Sequence, residues 1–250
     1  MTARMPKRAM VLAAGLGKRM RPLTDTTPKP LLAVAGRTLL DRALDRLADA
    51  KIERAVVNVH YLGAQIEAHL KSRTTPPIAI SREDVLLETG GGVAKALPLL
   101  GDAPFFAVNA DVLWLDGATP ALRRLARAWD DAQMDALLLM QSTATARGYE
   151  GRGDYFLDAV GRLKRRRGSE VAPYVYAAVQ ILHPRLFQGA PSGAFSLNVL
   201  YDKAQEAGRL WGIVHDGLWF HVGTPEDLAA TDQEFGNPRR NPVTAQEREG

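Results

Sequence analysis

The stretch of sequence that decides the fold spans residues 9–24 and reads Ala9-Met10-Val11-Leu12-Ala13-Ala14-Gly15-Leu16-Gly17-Lys18-Arg19-Met20-Arg21-Pro22-Leu23-Thr24. The unbroken apolar run at residues 9–14 is typical of a strand that is buried on both faces of a parallel sheet. The glycines that follow let backbone N–H groups come close to a phosphate, and the nearby cations can bind phosphate oxygens. The stretch therefore predicts a buried strand that leads into a phosphate-binding loop, with a solvated basic turn as the simpler alternative.

Two familiar glycine patterns do not fit this loop. A dinucleotide-binding GxGxxG pattern would need glycine at Met20, and a P-loop would need Ser or Thr after Lys18, where Arg19 stands. A different feature follows at Pro28-Lys29-Pro30, where two proline rings restrict the backbone around a lysine. We therefore expect Lys29 to hold a fixed position close to the loop.

Strand-like and helix-like stretches alternate along the rest of the chain. The predicted strands after the first cover residues 55–59, 78–80, 105–108, 136–140, 155–160, 175–182 and 218–222. The predicted helices cover residues 39–47, 62–70, 93–97, 121–129, 195–206 and 225–235, with Thr89 as N-cap of the third helix and Pro98 at its end. This alternation predicts an α/β fold with a Rossmann-like, mostly parallel sheet and helices on both faces. Two strands around a basic turn at residues 161–168 predict a small antiparallel excursion.

Composition limits the organisation of the chain and its possible partners. We predict a single domain over residues 1–236 and a flexible tail at residues 237–250, where apolar side chains are almost absent. The apolar run at residues 9–14 is too short for a signal peptide or a membrane span, so we expect a cytoplasmic protein that binds no membrane. The net charge is only +4, and the basic run at residues 164–167 lacks interleaved aromatic residues, so nothing favours nucleic-acid binding.

The metal and nucleophile chemistry available to the chain is restricted. There is no cysteine, which excludes disulfides, thiolate metal sites and cysteine nucleophiles, and no HExxH zinc motif occurs. Asn109-Ala110-Asp111 ends a predicted buried strand, and ligands gather at the carboxyl ends of parallel strands. A carboxylate there suits Mg²⁺, which prefers oxygen ligands together with substrate phosphates. A turn or helix-cap aspartate is the alternative for Asp111.

The glycine loop and the lysine together resemble a known signature. Sugar-1-phosphate nucleotidylyltransferases carry the pattern L-A-A-G-x-G-x-R-M-x-P-L-T followed by P-K-P, which matches residues 12–24 and 28–30. The resemblance implies a fold of the nucleotide-diphospho-sugar transferase type and a magnesium-dependent enzyme. Such an enzyme joins a nucleoside monophosphate unit from a nucleoside triphosphate to a sugar 1-phosphate and releases pyrophosphate.

The resemblance also implies roles for individual residues. The catalytic residues would be Arg19 on the phosphates, Lys29 near the reacting phosphates and Asp111 on the metal. The turn at residues 88–92 would pack against the base and ribose. Sugar-phosphate binding would involve Lys29, Asn109, Gly153 and Asp154, although a turn with an Asx hydrogen bond is the alternative for Asp154. The nucleotide-binding residues would be Leu12, Ala13, Ala14, Gly15, Gly17, Lys18, Arg19, Glu88, Gly90, Gly91 and Asn109.

One position departs from the family pattern. The stretch Trp219-Phe220-His221-Val222-Gly223-Thr224-Pro225-Glu226 resembles W-x-D-x-G-T-P-E, in which the aspartate supplies a second metal ligand. Imidazole is an uncommon ligand for Mg²⁺. Four interpretations of His221 stay open. Asp111 binds the metal mainly with phosphates and water, His221 ligates a softer ion such as Mn²⁺, His221 contacts phosphate, or it only packs beneath Thr224.

The stretch Gly151-Arg152-Gly153-Asp154-Tyr155 is similar to a G-R-G-D-F stretch in one subgroup, the N-acetylmuramate α-1-phosphate uridylyltransferases of cell-wall recycling. This resemblance implies UTP and N-acetylmuramic acid α-1-phosphate as substrates. One alternative is another sugar or base, as in a mannose-1-phosphate guanylyltransferase. An alternative of a different class is a non-catalytic nucleotide-sensing subunit, which the histidine at position 221 favours. The sequence does not decide between a monomer and a homodimer.

Overall fold

The structure is a computed structural model that describes residues 5–235. Its six described helices are α1 (Leu39–Asp49), α2 (Gly63–Leu70), α3 (Glu88–Leu100), α4 (Ala121–Ala128), α5 (Asn198–Glu206) and α6 (Pro225–Phe235). Its described strands are β1 (Arg8–Leu12), β2 (Ala33–Val34), β3 (Arg37–Thr38), β4 (Arg54–Val59), β5 (Ile78–Arg82), β6 (Phe105–Asn109), β7 (Leu113–Leu115), β8 (Ala136–Ser142), β9 (Tyr155–Leu157), β10 (Leu163–Arg165), β11 (Tyr174–Leu182), β12 (Leu210–Val214) and β13 (Leu218–Phe220).

Nine of the described strands form one twisted sheet around β1. The main path runs β10-β9-β11-β6-β1-β4-β5, while β8 pairs with β11 and β12 pairs with β8. Strand β1 lies parallel to β4 on one side and to β6 on the other. Strand β11 is antiparallel to β6 and β8, and β10 is antiparallel to β9. The predicted mostly parallel sheet with a small antiparallel excursion is therefore confirmed.

The central strand is buried on both faces because its side chains alternate between two cores. Val11 packs in a cluster with Leu40 and Leu44 of α1, whereas Met10 packs in a second cluster with Val93 of α3. Burial on both faces explains why β1 is continuously apolar rather than alternating. Helices therefore cover both faces of the sheet, as the sequence predicts.

Two predictions about α3 are wrong. Pro98 lies inside the helix, which continues to Leu100. Proline has no N–H to donate to the carbonyl of residue 94, so the helix lacks one hydrogen bond there although it continues. Thr89 does not cap α3, because the N-cap residue is Leu87. The Thr89 hydroxyl instead accepts a hydrogen bond from Leu197 N at 2.9 Å, which ties α3 to the segment before α5.

Other predicted boundaries also change. The segment 161–168 is not only a turn, because it contains β10, which pairs with β9. The chain reverses between β9 and β10, in a turn that is shorter than the predicted one. Asp158 fixes this turn, because its Oδ1 accepts hydrogen bonds from Val160 N and Arg162 N. Strands β7 and β12 are not predicted at all. The predicted tail at residues 237–250 lies outside the described residues. Within residues 5–235, no helix has the length and apolar character that crossing a membrane requires.

Candidate active site

A cleft of about 350 Å³ opens at the carboxyl ends of β1, β4 and β6. Leu12, the last residue of β1, has Asn58 of β4 and Asn109 of β6 as its register partners. Strands β4 and β5 follow on one side of β1 and β6 lies on the other, so the strand order reverses beside β1. Open α/β sheets bind ligands at such a point. The lining residues are Leu12, Ala13, Ala14, Gly15, Gly17, Lys18, Arg19, Met20, Lys29, Pro30, Asn58, Leu86, Glu88, Thr89, Asn109, Asp111 and Gly223.

The glycine loop wraps one side of the cleft. Gly17 has a left-handed backbone with φ of 61°, and a Cβ there would lie 2.9 Å from Cγ2 of Thr24. The Thr24 hydroxyl donates to Gly17 O at 2.9 Å, and the Tyr61 hydroxyl donates to Thr24 O at 2.8 Å. Glycine at position 17 is therefore required by the turn. Gly15 differs, because a Cβ there would meet no atom within 4 Å, so this position faces open space.

Cations surround this cleft, and two of them have no protein partner. Lys18 and Arg19 are exposed and line the cleft, and neither side chain forms a hydrogen bond or ion pair within residues 5–235. Arg21, by contrast, is paired with Asp25 at 3.1 Å. Lys18 and Arg19 are therefore the loop cations that are free to bind an anionic ligand.

Lys29 and Asp111 meet at the cleft. Lys29 Nζ donates to Oδ2 of Asp111 at 2.7 Å, with the lysine side chain 11% exposed and the aspartate side chain 35% exposed. Lys29 begins a short 3-10 helix (Lys29–Leu31) after Pro28, which has an extended backbone. The backbone around Lys29 is restricted by the two flanking prolines, as the sequence predicts, and its side chain ends in the contact with Asp111.

His221 lies close to the same charged groups. Its ring packs edge-on against Tyr149 at a centroid distance of 5.8 Å and tilts against Trp219 at 6.0 Å. Burial lowers the pKa of His221 below its ordinary value, and the cations Arg19 and Lys29 lower it further, while Asp227 and Asp111 oppose them. The imidazole is therefore held in its neutral form at neutral pH, in which a ring nitrogen can accept a hydrogen bond or ligate a metal.

The donor set near Asp111 suits a metal that takes most of its ligands from elsewhere. Within residues 5–235, no group of three His, Cys, Asp or Glu side chains is arranged to hold a metal ion. Oδ1 of Asp111 accepts no hydrogen bond from this part of the chain, and Asp111 lines the cleft together with Lys18, Arg19 and Lys29. Magnesium is commonly bound by one or two carboxylates together with substrate phosphates and water. Asp111 fits that mode of binding. The described residues do not form a site in which protein ligands alone would enclose the ion.

Some residues of the turn at residues 88–92 line the cleft, and others are buried in the interior. Glu88 and Thr89 line the cleft, and Glu88 has a left-handed φ of 61°. Gly90 and Gly91 are buried instead, and both N–H groups donate to Phe195 O, at 2.8 and 3.2 Å. Their contact with a nucleotide stays a prediction, and their backbone donors are already used within the protein.

Gly153 and Asp154 do not line the cleft. A carboxylate oxygen of Asp154 accepts from Tyr176 N at 2.9 Å, and Gly153 N donates to the Tyr149 hydroxyl at 3.1 Å. A Cβ at Gly153 would lie 2.1 Å from Ala172 O. These contacts fix the turn beside Tyr149, whose ring touches His221. A sugar-binding role for Gly153 and Asp154 stays a prediction.

Sequence reasoning missed one polar residue of the cleft and the carboxylate behind it. Asn58 is the last residue but one of the buried strand β4 and, like Asn109 at the end of β6, is a register partner of Leu12, so this equivalent position could have identified it. Its Oδ1 accepts from Ala13 N at 2.8 Å. Its Nδ2 donates at 2.7 Å to Glu83, a buried residue that follows β5.

Solved structures share this architecture. A UDP-glucose pyrophosphorylase complexed with UDP-glucose superposes with a TM-score of 0.77 at 17% identity, covering 92% of this chain and 98% of that one. The inositol-1-phosphate CTP transferase from T. maritima gives a TM-score of 0.73 at 19% identity, covering 92% and 98%. The fold is therefore that of the nucleotide-diphospho-sugar transferases.

Sequence comparison narrows the assignment. Residues 9–213 match the MobA-like NTP transferase domain. An N-acetylmuramate alpha-1-phosphate uridylyltransferase of Caulobacter vibrioides is 47% identical, covering 91% of this chain and 96% of the relative. One of the same description from Neisseria meningitidis is 39% identical, covering 87% and 93%. The chain belongs to the MobA-like NTP transferase family, within its sugar-1-phosphate nucleotidyltransferases, and the predicted enzyme class is confirmed.

Proposed function

We propose that this protein transfers a uridylyl group from UTP to N-acetylmuramic acid α-1-phosphate, giving the UDP-sugar and pyrophosphate. The identity of 47% to a relative of that description over nearly its whole length supports the substrate pair. The single observation that supports the reaction is the Lys29–Asp111 pair, which lies at a cleft lined by a glycine loop and unpaired cations.

The proposed reaction is an in-line displacement between two anions. An oxygen of the sugar phosphate attacks the α-phosphorus of UTP, the bond from that phosphorus to the bridging oxygen breaks, and pyrophosphate leaves. A phosphate dianion needs no general base, so the difficulty is charge rather than proton transfer. Fixed cations reduce the repulsion and stabilise the developing charge. We assign Lys29 to the α-phosphate and the sugar phosphate, and Arg19 to the departing pyrophosphate.

The proposal includes Mg²⁺, with Mn²⁺ as a possible substitute. Asp111 would hold the ion together with substrate phosphates and water. The neutral His221 does not line the cleft but lies within electrostatic range of Asp111. The ion would neutralise phosphate charge when bound. Because Lys29 already occupies Oδ2 of Asp111, this pair would keep the carboxylate oriented and its other oxygen available.

The assignment of the base and ribose follows the lining of the cleft, whereas that of the sugar rests on the family resemblance, because Tyr149, Gly153 and Asp154 do not line the cleft. The base and ribose would lie towards Glu88 and Thr89, and the sugar towards Tyr149 and the turn that contains Gly153 and Asp154. The product belongs to peptidoglycan recycling, and the use of a nucleoside triphosphate fits a cytoplasmic enzyme.

A substrate panel tests the proposal. Purified protein with Mg²⁺ is incubated with UTP, GTP, CTP or dTTP, each paired with the 1-phosphates of N-acetylmuramic acid, N-acetylglucosamine, glucose and mannose, and pyrophosphate release is measured. We expect the pair of UTP and N-acetylmuramic acid α-1-phosphate to have the highest kcat/KM.

Two outcomes would overturn the proposal. Preference for GTP with mannose 1-phosphate would indicate a guanylyltransferase, the activity named for relatives at about a quarter identity. Tight nucleotide binding without pyrophosphate release from any pair would indicate a nucleotide-sensing subunit.

A further inference from the structure

A buried run of hydrogen bonds connects the two walls of the cleft. Ala13 N, at the start of the glycine loop, donates to Oδ1 of Asn58 at 2.8 Å. Nδ2 of Asn58 donates to Oε1 of Glu83 at 2.7 Å, and Leu87 N donates to Oε2 of the same carboxylate at 2.9 Å. We call these four residues the Asn58–Glu83 link.

The link places a carboxylate in the protein interior without a cation. Asn58 is 2% exposed and Glu83 is 5% exposed, and Glu83 has no ion-pair partner within residues 5–235. Removing a carboxylate from water is costly unless its oxygens are hydrogen-bonded, and both oxygens of Glu83 are. A neutral glutamine could accept only one of the two hydrogen bonds, because its second terminal atom is a donor. The arrangement therefore requires a carboxylate at this position.

The two ends of the link are parts of the nucleotide cleft. Ala13 and Asn58 line it on the side of the glycine loop, and Leu86 and Glu88, which flank Leu87, line it on the other side. The backbone of Glu83 is itself fixed, because Glu83 N donates to Val59 O at 2.9 Å. The link thus sets the distance between the glycine loop and the turn that begins α3.

We infer that Glu83 and Asn58 are positioning residues that hold the cleft at the width a nucleotide needs. The nucleotide-binding residues predicted from the sequence include neither Glu83 nor Asn58. The inference rests on the proposed function for the identity of the nucleotide, and it concerns binding rather than the chemical step.

The glycine at position 92 fits the same inference. A Cβ there would lie 2.7 Å from Oε1 of Glu83 and 2.8 Å from Nδ2 of Asn58. Both distances are too short for a carbon beside a fixed polar atom. Gly92 therefore leaves room for the link, and Gly92→Ala would displace it while retaining both of its side chains.

The experiment compares Glu83→Gln, Glu83→Asp and Gly92→Ala with wild type by calorimetric titration of UTP and by steady-state kinetics. We expect Glu83→Gln to raise the Kd and the KM for UTP about tenfold, since a buried hydrogen bond is lost. The KM for the sugar phosphate should stay unchanged, and Glu83→Asp should have an intermediate effect. The control is Tyr201→Phe, which removes a buried hydrogen bond of 2.6 Å to Gln180 away from the cleft. It should lower the melting temperature without changing UTP binding.

The outcomes separate this inference from the proposed function. Wild-type affinity for UTP in folded Glu83→Gln, or equal losses for both substrates, would overturn the inference while leaving the uridylyltransferase activity intact. Weakened UTP binding in a protein that releases no pyrophosphate from any pair would support the inference and overturn the proposed function. If Glu83→Gln does not fold, Gly92→Ala decides the matter, because normal UTP affinity in that variant contradicts the inference.

Discussion

Lys29 and Asp111 are separated by 82 residues, yet the lysine Nζ lies 2.7 Å from the aspartate Oδ2. The lysine is the more buried partner, and the carboxylate opens towards the cleft. Partly exposed ion pairs contribute little to the free energy of unfolding. The importance of this pair therefore lies in its position at the cleft and not in its contribution to stability.

The first prediction concerns this pair. Lys29→Met and Asp111→Asn should each lower kcat by about 10²–10³-fold, because each removes one fixed electrostatic group from the phosphoryl centre. Both variants should melt within a few degrees of wild type. The measurement is initial pyrophosphate release at saturating substrates, together with a thermal melt.

The matched control is Asp216→Asn, which removes an ion pair of the same length, 2.7 Å, between Arg124 and Asp216. Neither of these residues lines the cleft. Turnover should be unchanged in this control. Near wild-type rates in folded Lys29→Met and Asp111→Asn would refute the catalytic assignment.

The second prediction concerns the histidine that replaces the family's aspartate. His221→Asp adds a carboxylate within electrostatic range of Asp111 and should strengthen the apparent affinity for Mg²⁺ about tenfold, because affinity rises with the number of charged oxygen ligands. Asparagine has nearly the same shape as aspartate but carries no charge, so His221→Asn serves as the control. The measurement is a titration of activity with Mg²⁺. If the Asp and Asn variants give superimposable curves, His221 lies outside the metal shell.

The sequence was sufficient to predict most of the sheet, because buried strands have local signals. The run at residues 9–14 reads as a strand without knowledge of its neighbours. Strand β12 was missed, since Gly212 interrupts its apolar pattern. A Cβ at Gly212 would lie 2.9 Å from Leu163 of β10, so that glycine is explained by a contact between distant segments.

The candidate site likewise contains residues that a local sequence pattern predicts and residues that are explained only by contacts with distant segments. The place of Asp111 at the cleft was predictable because this residue follows a buried strand, and ligands gather at the carboxyl ends of parallel strands. The three glycines at 90–92 were predicted to approach the nucleotide, but each makes room for a different neighbour within the protein. Those neighbours are Phe195, Gly193 and the Asn58–Glu83 pair, respectively. No local pattern identifies partners that lie so far away in the chain.

The third prediction separates two glycines. Gly91→Ala would bring a methyl group within 2.2 Å of Gly193 O, so it should destabilise the fold by about 1–3 kcal/mol. Gly15→Ala meets no atom within 4 Å and should leave the melting temperature unchanged. Its methyl group would stand where phosphates approach the loop, so the KM for UTP should rise several-fold. The measurements are urea unfolding and steady-state kinetics. An unaltered KM in Gly15→Ala would show that the triphosphate binds elsewhere.

The fourth prediction concerns stability in acid. Burial lowers the pKa of His215 below its ordinary value of 6.5, although hydrogen bonds to the carbonyl groups of Leu218 and Leu115 oppose the shift. Above 6.5 the imidazole is neutral in both the folded and unfolded states, so His215 contributes no pH dependence. As the pH falls below 6.5, the unfolded chain takes up the proton first, and the free energy of unfolding decreases until the pKa of the folded state is passed.

His215→Gln removes the titrating group while keeping an N–H donor for the carbonyl of Leu115, which His215 Nε2 contacts at 3.0 Å. Urea unfolding between about pH 7.5 and pH 5 should therefore show a smaller loss of stability in the variant than in wild type. An NMR titration of the wild-type imidazole should give a midpoint below 6.5. Parallel stability curves for the two proteins would show that His215 is not the buried group whose protonation destabilises the fold.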